Sequence, residues 1–343
     1  MKKFLPFLLL SIAALVLAAC GGDEKEKEKD SNTSGTDNTL SIYTTVYPLQ
    51  YFAERIGGEY VEVSSIYPPG ANEHTFEPTQ KDMMTLADAD LFFYIGLGLE
   101  GFVEKAKTTL ANEHVKLVST ADNVSEDMLD ISTGHVHAEE EHDHEGEDSH
   151  GHEEEHDHDH EGEDSHGHGE EHDSHVWLSP VISKDLAAVI KDELVKAMPE
   201  HEAAFTENYD KLATELDELH AEFESMAAET SKKTFFVSHA AFGYIAGHYG
   251  FTQVPVAGLN SQSEPSQKEL MTIVDLAKEE DIQYIFFEQN VSSKLTEVIQ
   301  KEVGAETLTL HNLSVLTSED ISNDETYFTL MKKNMEALKT ALQ

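Results

Sequence analysis

Residues 135–173 cannot join a folded core, and this constrains what the rest of the chain can build. Thirteen of the 20 histidines lie between positions 135 and 175, and the string HDHEGEDSHGH occurs at 142–152 and again at 158–168. Between 139 and 173 there are 18 Asp or Glu residues and no Lys or Arg. With almost nothing apolar to bury, such a segment cannot offset the entropy of ordering its backbone. It is expected to be a mobile loop, with separately patterned α/β stretches on either side.

Those stretches share one rhythm. LSIYTTV, YVEVSSIYP, DLFFYIG and HVKLVS read as strands, with helices near 47–56, 79–88 and 100–111 between them. After the insert, KTFFVSH, FTQVPV, QYIFFE and ETLTL repeat the pattern, with helices near 241–249, 265–280 and 292–303. Strands separated by helical segments of about ten residues indicate parallel α/β packing. Between the two halves, Ser179 followed by Pro180 marks a helix start, the Ser capping free amides and the Pro fitting the first turn. Phe205, Tyr209, Leu212, Leu216, Leu219, Phe223 and Met226 then recur at alternating spacings of four and three. A coiled coil has this period. One long amphipathic helix over 201–229, packed on surfaces of its own chain, is the simpler expectation. The fold class is therefore α/β, with two lobes of mainly parallel sheet joined by a long helix and a cleft between them. The expected boundaries are an N-terminal lobe at 40–180, linking helices at 181–230 and a C-terminal lobe at 231–343.

The first residues follow a different logic. Lys2 and Lys3 precede the apolar run FLPFLLLSIAALVLAA and then Cys20, the only cysteine. This is the pattern of a secretory signal peptide over 1–19, and no later stretch is apolar for the 18 residues a membrane span needs. LAAC followed by Gly21 resembles a bacterial lipobox, which makes Cys20 a lipidation point, with 20–39 as a polar tether. The expected location is extracytoplasmic, lipid-anchored to the outer face of the bacterial cytoplasmic membrane. A net charge of −44 excludes a nucleic-acid partner, which requires a basic footprint.

Four residues stand where parallel sheets place their ligand sites, at the carboxyl ends of strands. His74 lies in the loop YPPGANEHTFEP, His175 opens the turn HVWLSP, His239 ends KTFFVSH, and Glu288 follows the apolar run of QYIFFE. Three imidazoles and one carboxylate suit four-coordinate Zn2+, whereas Mg2+ and Ca2+ favour oxygen. Manganese and iron(II) remain open. His114, His201, His220, His248 and His311 have no such context and are expected to be structural or on the surface.

GANEHTFEPT, HVWLSP and SHAAFGY, in this order, resemble motifs of the zinc-binding solute-binding lipoproteins of ABC importers (ZnuA-like, cluster A-I), over about 40–343. The resemblance implies that His74, His175, His239 and Glu288 bind the metal. It also implies that the protein delivers Zn2+ to an ABC permease and its ATPase, and a monomer is expected. Where family members often have Asp-Pro before the second histidine, this chain has Asp173-Ser174. A zinc hydrolase is the competing class, but a filled four-ligand shell leaves little room for a catalytic water, and the HExxH match, HEEEH at 152–156, falls in the histidine-rich segment rather than on a patterned helix. A surface adhesin has no direct sign in the sequence. The loop histidines His135, His137, His142, His144, His150, His152, His156, His158, His160, His166, His168 and His172 read as an auxiliary set that concentrates zinc beside the cleft.

Overall fold

A computed structural model of the chain describes residues 39–133, 172–260, 265–289 and 293–343. The expected signal segment, Cys20, the expected tether through residue 38 and the loop histidines His135 to His168 lie outside the described residues. The described body belongs to one compact unit, Asn38–Gln343.

The first half builds strands β1 (Leu40–Thr44), β2 (Val61–Ser65), β3 (Leu91–Tyr94) and β4 (Lys116–Ser119). They alternate with helices α1 (Tyr47–Gly57), α2 (Gln80–Ala87) and α3 (Val103–Thr109), and the short α4 (Glu126–Leu129) follows. The second half builds β5 (Thr234–His239), β6 (Thr252–Ala257), β7 (Tyr284–Glu288) and β8 (Glu306–Leu310). Between them, α5 (Pro180–Ala197) and α6 (Glu202–Glu229) link the halves. The second half adds α7 (Gly243–Tyr249), α8 (Gln267–Glu279), α9 (Lys294–Val303), α10 (Ser318–Ser322) and α11 (Tyr327–Ala341).

Both sheets are four-stranded and parallel, with the same plan: β2-β1-β3-β4 and β6-β5-β7-β8. The central strand β3 is buried throughout as LFFY, and β5 is buried from Phe235 to His239. Continuous apolar runs of this kind are what helices on both faces of a parallel sheet demand. In each sheet the chain reverses direction of growth beside the first strand, so β5 and β7 flank the switch point of the second lobe. That crevice, at the carboxyl ends, is where open α/β sheets hold ligands.

Helix α6 has 28 residues and spans about 42 Å at 1.5 Å per residue. Phe205, Leu212, Leu216, Leu219, Phe223 and Met226 are buried along it. Their stripe faces α5, α1 and α11 of the same chain, so the heptad spacing serves internal packing. Ser179 caps α5 by accepting from the Ile182 amide, as the Ser-Pro pair predicts, and Ser293 caps α9 through Thr296. Helices α10 and α11 are not among the elements the sequence pattern marks. Tyr327 of α11 sits edge-on to Phe52 of α1 at 5.1 Å, and its hydroxyl donates to the Trp177 carbonyl at 2.9 Å. The last helix thus ties both halves together, and one apolar cluster runs through both.

Candidate metal centre

His74 sits in the loop after β2, where its own amide donates to the Asn72 side chain at 3.0 Å. His175 leads into a 3-10 turn at Val176–Leu178, and His239 is the last residue of β5. The fold brings the three imidazoles together, with ring centroids 4.9 to 5.4 Å apart and steeply inclined planes. One nitrogen from each lies within 4.8 Å of the others. Nitrogens in a tetrahedral zinc shell are about 3.3 Å apart for bonds near 2.05 Å, so small inward shifts would close the set. The Nε2 atoms of His74 and His175 are buried without any partner. Leaving two such atoms unpaired costs stability unless something binds them.

His175 and His239 are each held from behind. Asp173 Oδ1 accepts from both the His175 amide (2.9 Å) and its Nδ1 (2.7 Å), while Oδ2 accepts from Ser132 Oγ (2.6 Å). Tyr244 of α7 donates to the Asp173 carbonyl at 2.7 Å. His239 Nδ1 lies 3.0 Å from both oxygens of Glu288, and its Nε2 is 3.2 Å from the Leu259 carbonyl. A carboxylate on Nδ1 fixes the tautomer that presents Nε2 to a metal.

Glu288 is therefore in the centre but not in the histidine trio. Its Oε1 also accepts from Ser238 Oγ at 2.9 Å, and Oε2 accepts from Asn312 Nδ2 at 3.0 Å. The neighbouring parallel strands β5 and β7 end side by side, which sets its carboxylate against Nδ1 of His239 rather than among the free nitrogens. Asp173, which the sequence reading assigned to the mobile loop, is buried beneath His175. Its position two residues ahead of His175 was the available signal. Glu73 was also missed. It is buried beside His74, accepts from Asn312 Nδ2 at 3.1 Å through Oε1, and leaves Oε2 without a partner.

The electrostatics follow from burial and charge. Burial, reinforced by the charges of His175 and His239, holds the His74 imidazole down at about 3, with Asp173 opposing. It is neutral at physiological pH, the form a metal needs. Burial would also lower His239, but the charge and hydrogen bond of Glu288 outweigh it and lift the imidazole to about 9. Burial pushes the Glu73 carboxyl up, with Glu288 adding to the rise and the His175 and His239 charges opposing it. Glu288 and Asp173 are drawn below the usual carboxylate range, because contacts with His239 and His175 outweigh the burial that would raise them.

A cleft of about 250 Å3 reaches His74, lined also by Leu97, Gly98, His172 and Leu259. Buried Glu100 shapes this wall by accepting from the Ile95 and Gly96 amides and from Thr45 Oγ1. Gly96, Leu97 and Gly98 all turn with positive φ, a conformation that favours glycine at two of the three positions. His172, the one member of the auxiliary set among the described residues, thus lies at the mouth, 3.8 Å from Asp130. Of the remaining histidines, His114 pairs with Asp90, His201 stacks on Tyr60, His220 contacts Tyr249 and His311 contacts Asp320. Those four have partners outside the centre, whereas the fifth, His248, is half-buried with its Nε2 unpartnered.

The stem of the insert is docked on the second half. Thr133 donates to the Gly243 carbonyl at 3.2 Å, and Ser132 holds Asp173. A Cβ at Gly243 would lie 2.9 Å from Asp173 Oδ2, and one at Gly247 would overlap the Ile131 carbonyl.

Two parallel α/β lobes bridged by a long helix, with three histidines converging between them, define a metal-binding protein of the solute-binding type. The family model described as "Zinc-uptake complex component A periplasmic" matches residues 42–341, and the chain belongs to that family. It is 33% identical over 341 residues to the high-affinity zinc uptake system protein ZnuA of Bacillus subtilis, covering 99% of this chain and 98% of that one. It is 35% identical to the zinc-binding lipoprotein AdcA of Streptococcus pneumoniae over 339 residues. There it covers 99% of this chain but spans only 61% of the relative's length. Among solved structures, the Zn(II)-bound ZnuA-like domain of Streptococcus pneumoniae AdcA aligns with a TM-score of 0.68 and 30% identity, over 89% of this chain and 99% of that one.

Proposed function

We propose that the protein captures Zn2+ outside the cell and delivers it to an ABC permease and its ATPase, binding the ion and releasing it unchanged, with no reaction catalysed. The observation that carries this reading is the pair of buried, unpartnered Nε2 atoms of His74 and His175 facing His239. Three imidazole nitrogens with a carboxylate at hand favour zinc among the divalent ions. Glu288 acts as the anionic member of the centre, held one hydrogen bond from His239, and Glu73 offers a second carboxylate oxygen. Cys20 carries the lipid, the protein works as a monomer, and the histidine segment supplies weaker zinc sites beside the cleft.

The test is isothermal titration with Zn2+ on the parent and on His74→Ala, His175→Ala, His239→Ala and Glu288→Ala. Each histidine variant should lose zinc affinity by at least a hundredfold, and Glu288→Ala by less, since water can replace a carboxylate. A histidine variant that binds like the parent removes that residue from the site. Tighter binding of Mn2+ than of Zn2+ by the parent would replace zinc with manganese as the cargo.

A further inference from the structure

The two carboxylates beside the trio are joined by one amide. Asn312, in the turn after β8, is fully buried, and its Nδ2 donates to Glu73 Oε1 at 3.1 Å and to Glu288 Oε2 at 3.0 Å. Its Oδ1 accepts from Gln289 Nε2 at 2.9 Å, from the Ser314 amide at 3.1 Å and from Ser314 Oγ at 2.9 Å. Chemistry fixes this orientation. Flipped, the amide oxygen would face two carboxylates that can only accept, and the amine would face a backbone N–H. The backbone is pinned as well, since the Asn312 carbonyl accepts from Trp177 Nε1 at 2.7 Å and its amide donates to Gln289 Oε1 at 3.1 Å. The side chain therefore holds one carboxylate from each half of the chain.

We infer that Asn312 is a specificity-determining residue of the centre: by holding one oxygen of Glu73 and one of Glu288, it keeps the metal shell dominated by nitrogen and so favours zinc over harder cations such as Mn2+. The inference rests on the zinc reading above. Zinc is satisfied by four ligands, mostly nitrogen or sulfur, whereas manganese prefers a six-coordinate, oxygen-rich shell. A carboxylate free to rotate can bind through both oxygens, and two such groups would raise the oxygen count around the ion. Glu73 and Glu288 are close enough to share one amine and carry like charge. Released from that amine, Glu73 would lose the donor on Oε1 and could turn both oxygens toward a cation, while Glu288 would keep Ser238 and His239 but lose the amide that restrains Oε2.

Asn312→Asp isolates this role, because it preserves the shape and the Oδ1 acceptor for Gln289 and Ser314 while removing both donors. Competition titrations of the full chain with Zn2+ and with Mn2+, against a chromogenic chelator, give the ratio of the two affinities. The preference for zinc should fall at least tenfold in Asn312→Asp. It should recover in Asn312→Asp combined with Glu73→Gln, whose amine can donate to the new carboxylate. Asn312→Ser, too short to reach both carboxylates, should show the same loss and serves if the Asp variant does not fold. A role in structure alone would weaken both ions alike, and an unchanged ratio in the folded variants overturns the inference while leaving zinc capture intact. A parent that binds no zinc would bring down both readings.

Discussion

Removing the carboxylate of Asp173 should damage both the fold and the metal site, and the two effects can be sized separately. Asp173→Ala deletes the acceptor for three bonds, two from His175 and one from Ser132. Bonds to a charged group contribute about 1.5–3 kcal/mol each, and neighbouring bonds do not add fully. A loss of about 3–5 kcal/mol is expected for the metal-free protein, because His175 and Asp173 are buried and water cannot replace the bonds. Native domains hold about 5–15 kcal/mol, so the variant should fold with a lower melting temperature. Losing the partner that orients a ligating imidazole typically lowers metal affinity about 10- to 100-fold. Asp173→Asn should be milder, since its oxygen can still serve His175 and its amine can donate to Ser132 Oγ. The pH dependence has a definite sign. The folded carboxyl lies below its ordinary value, so its contribution is complete above the unfolded value of about 3.9 and is lost as pH falls through the folded value. Scanning calorimetry of the metal-free forms and chelator competition with Zn2+ provide the two measurements. If Asp173→Ala binds zinc within threefold of the parent and melts at the same temperature, the account of how His175 is held is wrong.

Four further outcomes follow from the same geometry. His239, lifted to about 9 by Glu288, must shed a proton to bind metal, so zinc affinity should rise with pH up to about 9; calorimetry at pH 7.5 in buffers of different ionisation enthalpy should show about one proton released per zinc. In the metal-free protein the same shift stabilises fully below the unfolded value of about 6.5 and is lost as pH rises through 9, which melting curves across that range would register. Gly247→Ala would place a Cβ 2.8 Å from the Ile131 carbonyl carbon, so it should destabilise by about 1–3 kcal/mol and weaken zinc binding through the Ser132–Asp173 contact, whereas Gly101→Ala, with open space around it, should match the parent in both assays. Deleting 139–171 should leave the tight site and its melting behaviour in place but abolish several weaker zinc equivalents seen in equilibrium dialysis at pH 7.5, and equal stoichiometry in parent and deletion would reduce the segment to an inert linker.

What could be read from the sequence was whatever repeats or sits at a boundary. The strand and helix rhythm, the stripe on α6, the Ser179 cap and the three histidines at junctions depend on spacing within a dozen or so residues, and spacing survives in one dimension. The polar frame behind the histidines does not. Glu73 and Asn312 are 239 positions apart, and nothing in NEHTF or HNLSV announces that they share a bond. Nor could the sequence tell which side of His239 would receive Glu288, because that depends on how β5 and β7 end against each other. Tyr327 gave no periodic signal for reaching back to α1, since its partners Phe52 and Trp177 are assembled only once α5 and α11 have packed. One residue joins the two kinds of information. Trp177 belongs to HVWLSP, legible as the turn that carries a ligand, yet its Nε1 anchors the Asn312 backbone on which both carboxylates depend. The turn that presents His175 therefore also sets the second-half residue that restrains Glu288. An error in either half should reach the metal through this indole: Trp177→Phe removes the donor and leaves a smaller ring in a fully buried position, so zinc affinity should fall together with stability, as chelator competition and melting curves would show.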